Sequence, residues 1–383
     1  MKMRLVDLLQ CPYDGTFPLE LQVVAQEKVR NNLRIDKVFC RRYCAYKNGL
    51  IRSFMPALGD CQECFANEII QALLICPSCK RWFPVLEGIP SIMPDELRSS
   101  REGEFLEAFP SIIRSGSVRI AFPKVSDLTK EVKDKRKEME RRDCEAPIYE
   151  HVFTHYKTAR ERDAVFERLA FHEEDILLDI GCGTGRLTRD YASRVNESIT
   201  TDFSLESLKI LQKSISRQSS RPVHPIQLDA CLLPFKNSSF TKILSTQVYE
   251  HIPSKASRLR AYKEVNRMMK RGGVFVLTIY LYNLHKRLYH CFKPGRFSDT
   301  AKSGYHCNGQ IYYYNFSFGE ARRELSSIFK MEEITGIINN IPLITRLLGS
   351  QRGKVDRFLE NTHLSHFLGT FILGKCRKRE YTI

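Results

Sequence analysis

The sequence predicts an α/β fold preceded by a small cysteine-rich domain, and three observations carry that expectation. From about residue 151, apolar strand-like runs alternate with helical stretches, as successive βαβ units would. The first of these strands, DILLDI, enters a glycine-rich turn at Gly181–Gly185 that opens a helix. Seven of the 13 cysteines fall before residue 80, several as C-x2-C pairs, in a segment short of long helical pattern.

Three regions follow in order. Residues 1–97 are rich in Cys and Pro and read as a small metal-binding domain with a cysteine-containing insertion. Residues 98–150 include VSDLTKEVKDKRKEMERRD, which reads as a linker or an exposed helix. Residues 151–383 form the α/β domain. There HYKTARERDAVFERLAF is an amphipathic helix, DILLDI a buried strand and GRLTRDYASRV the next helix. SITTDF, HPIQLDA and TKILSTQV are the second to fourth strands. The helix KASRLRAYKEVNRMMK, a turn at RGG and a fifth strand, VFVLTIY, come next, and ELSSIF, MEEITGI and GTFILGKCRK close the set. The aromatic segment of about 281–310 is long enough to be a lid. Its His285, His290, His306 and Tyr305, with Tyr312–Tyr314, could line a substrate pocket or pack the lid.

The composition is that of a soluble protein, with 43% hydrophobic and 27% charged residues. No apolar run reaches the ~18 residues of a membrane span, and the N-terminus lacks the core of a signal peptide. A cytoplasmic protein is expected, where clustered cysteines favour metal over disulfides. The net charge is +16, placed unevenly. Residues 1–150 hold 24 Lys and Arg against 22 Asp and Glu, whereas residues 151–383 hold 36 against 22. The basic half suits an anionic partner such as RNA, a phosphorylated metabolite or an acidic membrane surface, or is simply a solvated face.

The turn reads G-x-G-x-G rather than the G-x-G-x-x-G that seats a pyrophosphate. Asp179, two residues before Gly181, would repel a pyrophosphate and attract an ammonium group. Asp202 ends the second strand in TTDFS, where a carboxylate can accept both ribose hydroxyls. Asp229 closes the third strand beside Ala230, placed for an adenine amino group. A nucleoside with an amino-acid tail and no phosphate satisfies all three, and S-adenosylmethionine (SAM) is that ligand.

With these residues residues 150–383 resemble a class I SAM-dependent methyltransferase of the type 11 kind, through DIGCGTGR, TTDFS, LDACLLPF, STQVYEHIP and KRGGVFVLTIY in family order. The resemblance implies a Rossmann-like sheet of seven strands with the last antiparallel. It implies cofactor contacts from Asp179, Gly181, Cys182, Gly183, Gly185, Asp202, Phe203, Asp229, Ala230 and Gln247. Glu250 and His251, after the fourth strand, are the candidate catalytic pair, as base or as orienters of the acceptor, or else cap the loop and the helix after it. Gln247 stands where related quinone O-methyltransferases carry a metal-binding acid, so no active-site metal is expected. Asn-Pro-Pro-Tyr, the mark of amide and exocyclic-amine methylation, is missing after the fourth strand.

In the N-terminal region, CPYDG and CPSC form two tight knuckles that offer Cys11, Cys76 and Cys79 to one zinc ion, with Asp14 or another cysteine as the fourth ligand. Cys40, Cys44, Cys61 and Cys64 could bind a second zinc ion, or Cys61, Cys64, Cys76 and Cys79 could form a single zinc ribbon. LLQCPYDG and CPSCKRWFPVLEGIPSIMPDE resemble the small zinc-binding activator subunit of several tRNA, rRNA and protein methyltransferases, here fused in cis. IYYYNFSFGEARREL loosely resembles the segment after the fifth strand of wobble-uridine tRNA methyltransferases. The expected activity is methyl transfer to oxygen or nitrogen of RNA or a small molecule. A SAM-binding regulatory or scaffold protein without transfer activity is the alternative.

Overall fold

The computed structural model describes residues 1–29, 33–98, 100–107, 118–119, 128–149, 155–215, 218–292, 302–306, 309–339 and 351–380. The chain divides into two compact units, Met1–Ala146 with Cys182–Ser239, and Pro147–Gly181 with Phe240–Ile383. The α/β class is as expected: both units are built on parallel strands flanked by helices.

The first unit contains β1 (Glu20–Lys28), the two-residue strands β2 (Tyr43–Cys44) and β3 (Gly49–Leu50), β4 (Asn67–Ile75), β5 (Trp82–Leu86) and β6 (Ile89–Ile92). β1, β4, β5 and β6 form an antiparallel meander. After β7 (Ile176–Ile180), which belongs to the second unit, come β8 (Glu197–Asp202) and β9 (Val223–Leu228), which pair in parallel. Both are buried along almost their whole length, as strands covered on both faces must be.

β6 joins β9 in parallel, Ser91 opposite Gln227 and Ile92 opposite Leu228, so the N-terminal domain extends the α/β sheet at its β9 edge. Ile89 packs with Ala192, Leu205, Leu208, Leu211 and Ile215 in one apolar cluster. The same unit holds a buried ion network. The Arg4 guanidinium donates to Asp7 at 2.5 Å and to Glu197 at 3.1 Å, and Glu197 also meets His224 Nε2 at 3.0 Å. Removing one member of a buried network leaves an uncompensated charge. Arg4→Met is therefore expected to destabilise the chain by about 3–5 kcal/mol, read by chemical denaturation.

The second unit holds β7, β10 (Phe240–Thr246), β11 (Met269–Tyr280), β12 (Ser303–His306), β13 (Ile311–Tyr314), β14 (Lys330–Asn339) and β15 (Gly369–Arg377). β7, β10 and β11 are parallel, and β15 runs antiparallel to both β11 and β14. The last strand is thus antiparallel, as the resemblance implied. The turn expected at RGG is a bulge inside β11. The register jumps from Phe240↔Met269 to Lys242↔Val274, and Gly272 takes φ +72° at the bend. GRLTRDYASRV forms only a short helix, Thr188–Tyr191, with one 3-10 turn after it, and ELSSIF is the end of a helix, Phe318–Ile328. The lid segment contributes a helix, Leu284–Phe292, and the β12–β13 hairpin. Residues 293–301 and 307–308, and the side chains of His290 and His306, lie outside the described residues.

Candidate active site

The glycine turn is built so that only glycine fits. Gly181, Gly183 and Gly185 have φ of +76°, +57° and +89°, the region that side chains disfavour. A Cβ on Gly181 would come within 2.1 Å of Val248, and one on Gly185 within 2.4 Å of Leu211. Asp202 holds the turn: its Oδ2 accepts the Gly183 N–H at 2.7 Å, and its Oδ1 accepts the Ser204 N–H at 2.9 Å. Burial pushes the Asp202 carboxyl above its ordinary range, against the pull of these N–H groups. Each oxygen keeps further acceptor capacity, which a diol needs. The Cys182 N–H donates to the Thr201 carbonyl at 2.9 Å, and Asp179, at the end of β7, is buried.

Asp229 shares the first unit with Asp202. Its Oδ1 accepts the Cys231 N–H at 2.8 Å, and its Oδ2 accepts from Lys135 Nζ at 2.6 Å. Beside it Ala230 is half-buried, and the Phe203 carbonyl accepts from Gln227 at 3.1 Å. Lys135 sits on a helix, Lys130–Glu145, capped by the Thr129 hydroxyl. The sequence reads this segment as a linker or an exposed helix. In the structure Lys130, Lys133, Lys137 and Glu140 are exposed as expected, but the opposite face, with Lys135, Glu138 and Asp143, turns inward. Asp143 accepts from the Ser204 hydroxyl at 2.6 Å and from the Glu206 N–H at 3.2 Å, and only 14% of the Lys135 side chain is exposed. A cavity of about 350 Å³ lies against the same helix, with Arg98, Glu102, Met139, Asp143 and Gln227 among its walls.

Burial pushes the Glu138 carboxyl up to about 7; Arg142 opposes the shift, while Asp202 and Asp229 add to it. Its folded pKa thus lies above the unfolded value of about 4.3. The stability this group contributes is complete below that value and is lost as pH rises toward 7. Glu138→Gln should flatten the decline in stability across this window, measured by denaturant titration at several pH values.

In the second unit, Gln247 ends β10 with φ +58°, and its amide donates to Glu161 at 2.9 and 3.0 Å. Glu161 is buried and also accepts from the Thr278 hydroxyl at 2.7 Å. His251 Nδ1 lies 2.6 Å from the Tyr312 carbonyl on β13. A carbonyl only accepts, so Nδ1 carries a proton, and whenever the ring is neutral Nε2 is its acceptor nitrogen. The lid segment's contribution at this point is a backbone carbonyl rather than a tyrosine hydroxyl. Glu250 is fully buried and acts on Lys286, whose ammonium donates to Asn315 at 2.5 Å. Burial pulls Lys286 down to about 8, opposed by Glu250. Of the other lid candidates, His285 and Tyr305 are exposed.

The N-terminal knuckles meet as expected. The ligand atoms of Cys11, Asp14, Cys76 and Cys79 all lie within 4.8 Å of one another. Gly15 at φ +72° and Lys80 at φ +59° close the two turns. Three thiols and a carboxylate at this spacing fit a tetrahedral zinc site, with Asp14 in the fourth place that the sequence left open. Cys76 and Cys79 therefore gather with Cys11 and Asp14 rather than with Cys61 and Cys64.

Lys135, Glu138, Glu161 and Lys286 were not singled out from the sequence. Lys135, Glu138 and Glu161 sit in helices full of charge, where no local pattern marks which charged residue turns inward.

Residues 178–277, which run from β7 through most of β11, match the family described as "Methyltransferase domain". This stretch is a methyltransferase domain. Residues 2–88 match the Trm112p-like protein family, so the methyltransferase domain is preceded in the same chain by a Trm112p-like domain. The uncharacterized protein MJ1252 of Methanocaldococcus jannaschii is 32% identical over 135 residues, 35% of this chain and 48% of its own length. "Probable tRNA methyltransferase 9B" of Bos taurus is 30% identical over 118 residues, 30% of this chain and 23% of its own. Malonyl-[acyl-carrier protein] O-methyltransferase of Marinomonas sp. is 28% identical over 146 residues, 38% of this chain and 52% of its own. The chain thus spans about half or less of these relatives. No helix among the described residues is long and apolar enough to cross a membrane.

Proposed function

We propose that the protein is a SAM-dependent methyltransferase acting on an oxygen or nitrogen of RNA, with its zinc-binding Trm112p-like domain fused in cis. The observation that carries the SAM assignment is the coupling of the glycine turn to Asp202, which leaves a side-chain-free cradle next to a carboxylate with acceptor capacity to spare. The turn backbone from Gly181 to Gly185 and Asp179 would receive the amino-acid end, Asp202 with Phe203 the ribose, and Asp229 with Ala230 the adenine. Asp229 accepts from Lys135 and from the Cys231 N–H and keeps acceptor capacity for the adenine amino group. SAM supplies an activated methyl group, so alignment of the acceptor provides much of the rate.

His251 then takes a proton from the acceptor through Nε2, held in this tautomer by the Tyr312 carbonyl. His251→Asn is expected to lower kcat by roughly 100-fold or more with SAM affinity unchanged, measured by steady-state kinetics and calorimetry. Three facts favour RNA: the basic C-terminal half, the Trm112p-like domain and the tRNA methyltransferase among the relatives. A small-molecule acceptor is the second reading, favoured by the malonyl-carrier relative and the aromatic lid segment. Methyl-labelled SAM incubated with the full chain and a cell extract separates them. Label released by nuclease supports RNA; label in organic extract or small metabolites supports the second reading.

A further inference from the structure

The insertion in the Trm112p-like domain has almost no ordinary core. Among residues 33–66, Pro56 and six other apolar side chains are buried, and four of those six are Cys40, Cys44, Cys61 and Cys64. The other two are Phe39 and Phe65, and regular structure amounts to two two-residue strands, one 3-10 turn and the nine-residue helix Leu58–Ala66. A segment this poor in apolar burial needs another source of folding free energy.

The cysteines are presented as ligands. Cys61 and Cys64 lie one turn apart on the buried face of their helix, while Gln62 and Glu63 between them are exposed. Cys44 sits on the β2–β3 hairpin opposite Gly49. The loop from Cys40 to Cys44 is wrapped around the Asp7 carboxylate, which accepts the N–H groups of Arg41, Arg42 and Tyr43 at 2.8, 2.8 and 2.7 Å. The Phe39 and Phe65 rings lie 5.0 Å apart, which brings the chain at Cys40 against the helix that carries Cys61 and Cys64. None of the four is in a disulfide.

We infer that Cys40, Cys44, Cys61 and Cys64 form a second structural zinc site, separate from the Cys11–Asp14–Cys76–Cys79 cluster. The four sulfur atoms close on the ion by side-chain rotation, since they do not share the tight spacing of the first cluster. Each thiol releases its proton to solvent on ligation, leaving a complex of net charge −2. Lys2, whose ammonium donates to the Phe65 carbonyl beside Cys64 at 2.7 Å, offsets part of it. This inference does not depend on methyl transfer.

Metal analysis of the full chain purified with zinc should find about two ions per chain. X-ray absorption at the zinc edge should give a mean of about 3.5 sulfur ligands per ion, from one site with three and one with four. The pair Cys40→Ser and Cys64→Ser should remove about half of the zinc. If that variant does not fold, the unsubstituted chain still decides through stoichiometry and ligand mean. About one ion per chain with about three sulfurs, or alkylation and intact mass showing Cys40, Cys44, Cys61 and Cys64 paired in disulfides, would overturn the site.

Discussion

Asp202→Ala is expected to abolish SAM binding, with affinity falling at least ~100-fold. Two effects combine. The ribose would lose its hydrogen bonds to a charged acceptor, each worth about 1.5–3 kcal/mol, and about 1.4 kcal/mol is tenfold in affinity. The turn would also lose the acceptor for the Gly183 and Ser204 N–H groups, so the cradle would loosen even before ligand arrives. Gly183→Val tests the turn with the carboxylate retained. It forces a branched side chain at φ +57°, and it should also eliminate binding. Calorimetric titration reads both, with circular dichroism as the check on folding. Unchanged affinity in Asp202→Ala would remove the cofactor assignment.

Cys76→Ser with Cys79→Ser is expected to lose the zinc of the Cys11–Asp14–Cys76–Cys79 site and to unfold the Trm112p-like domain. Zinc ligation supplies on the order of 10 kcal/mol in small domains of this kind, more than a domain this size gains from its core. The loss should spread, because β6 is a strand of the same sheet as β9 and Ile89 packs against Leu205, Leu208 and Leu211. Elemental analysis should therefore show the lost metal, and thermal melting should show the first unit less stable, not only its N-terminal part. Full zinc retention in the double variant would refute the site.

The two cases show what a sequence can and cannot convey. The glycine turn, Asp202 and Asp229 are legible because each sits at the end of a buried strand, and strand ends can be read from short apolar runs. The knuckles are legible because a tight turn fixes the spacing of its ligands. The fourth ligand of the first cluster is harder: Asp14 meets Cys76 across 62 positions, and only folding selects it over the other cysteines. The Lys130–Glu145 helix misleads for a similar reason. Its composition is that of a solvated helix, yet Lys135 and Glu138 face inward, compensated by Asp229 and Arg142. Glu161 is another such case, since its partners Gln247 and Thr278 come from two later strands. The RGG segment was read as a turn from its glycines; the bulge it forms depends on pairing with β10, which no local pattern encodes.

The charged helix also makes the account specific. Lys135 donates to the same carboxylate that the adenine would use, so SAM binding and the position of this helix are linked. The pH dependence of Glu138 reports on the same place from the protein side.

The central claim is that this chain transfers methyl groups, and its most direct test is product formation. The zinc-loaded chain would be incubated with SAM and, separately, with total RNA and with a small-metabolite extract, and S-adenosylhomocysteine counted by mass spectrometry. The account predicts S-adenosylhomocysteine in many-fold molar excess over the protein with the RNA fraction, and none with Gly183→Val. Saturable SAM binding with no S-adenosylhomocysteine in any fraction would contradict it and leave a SAM-binding protein without transfer activity.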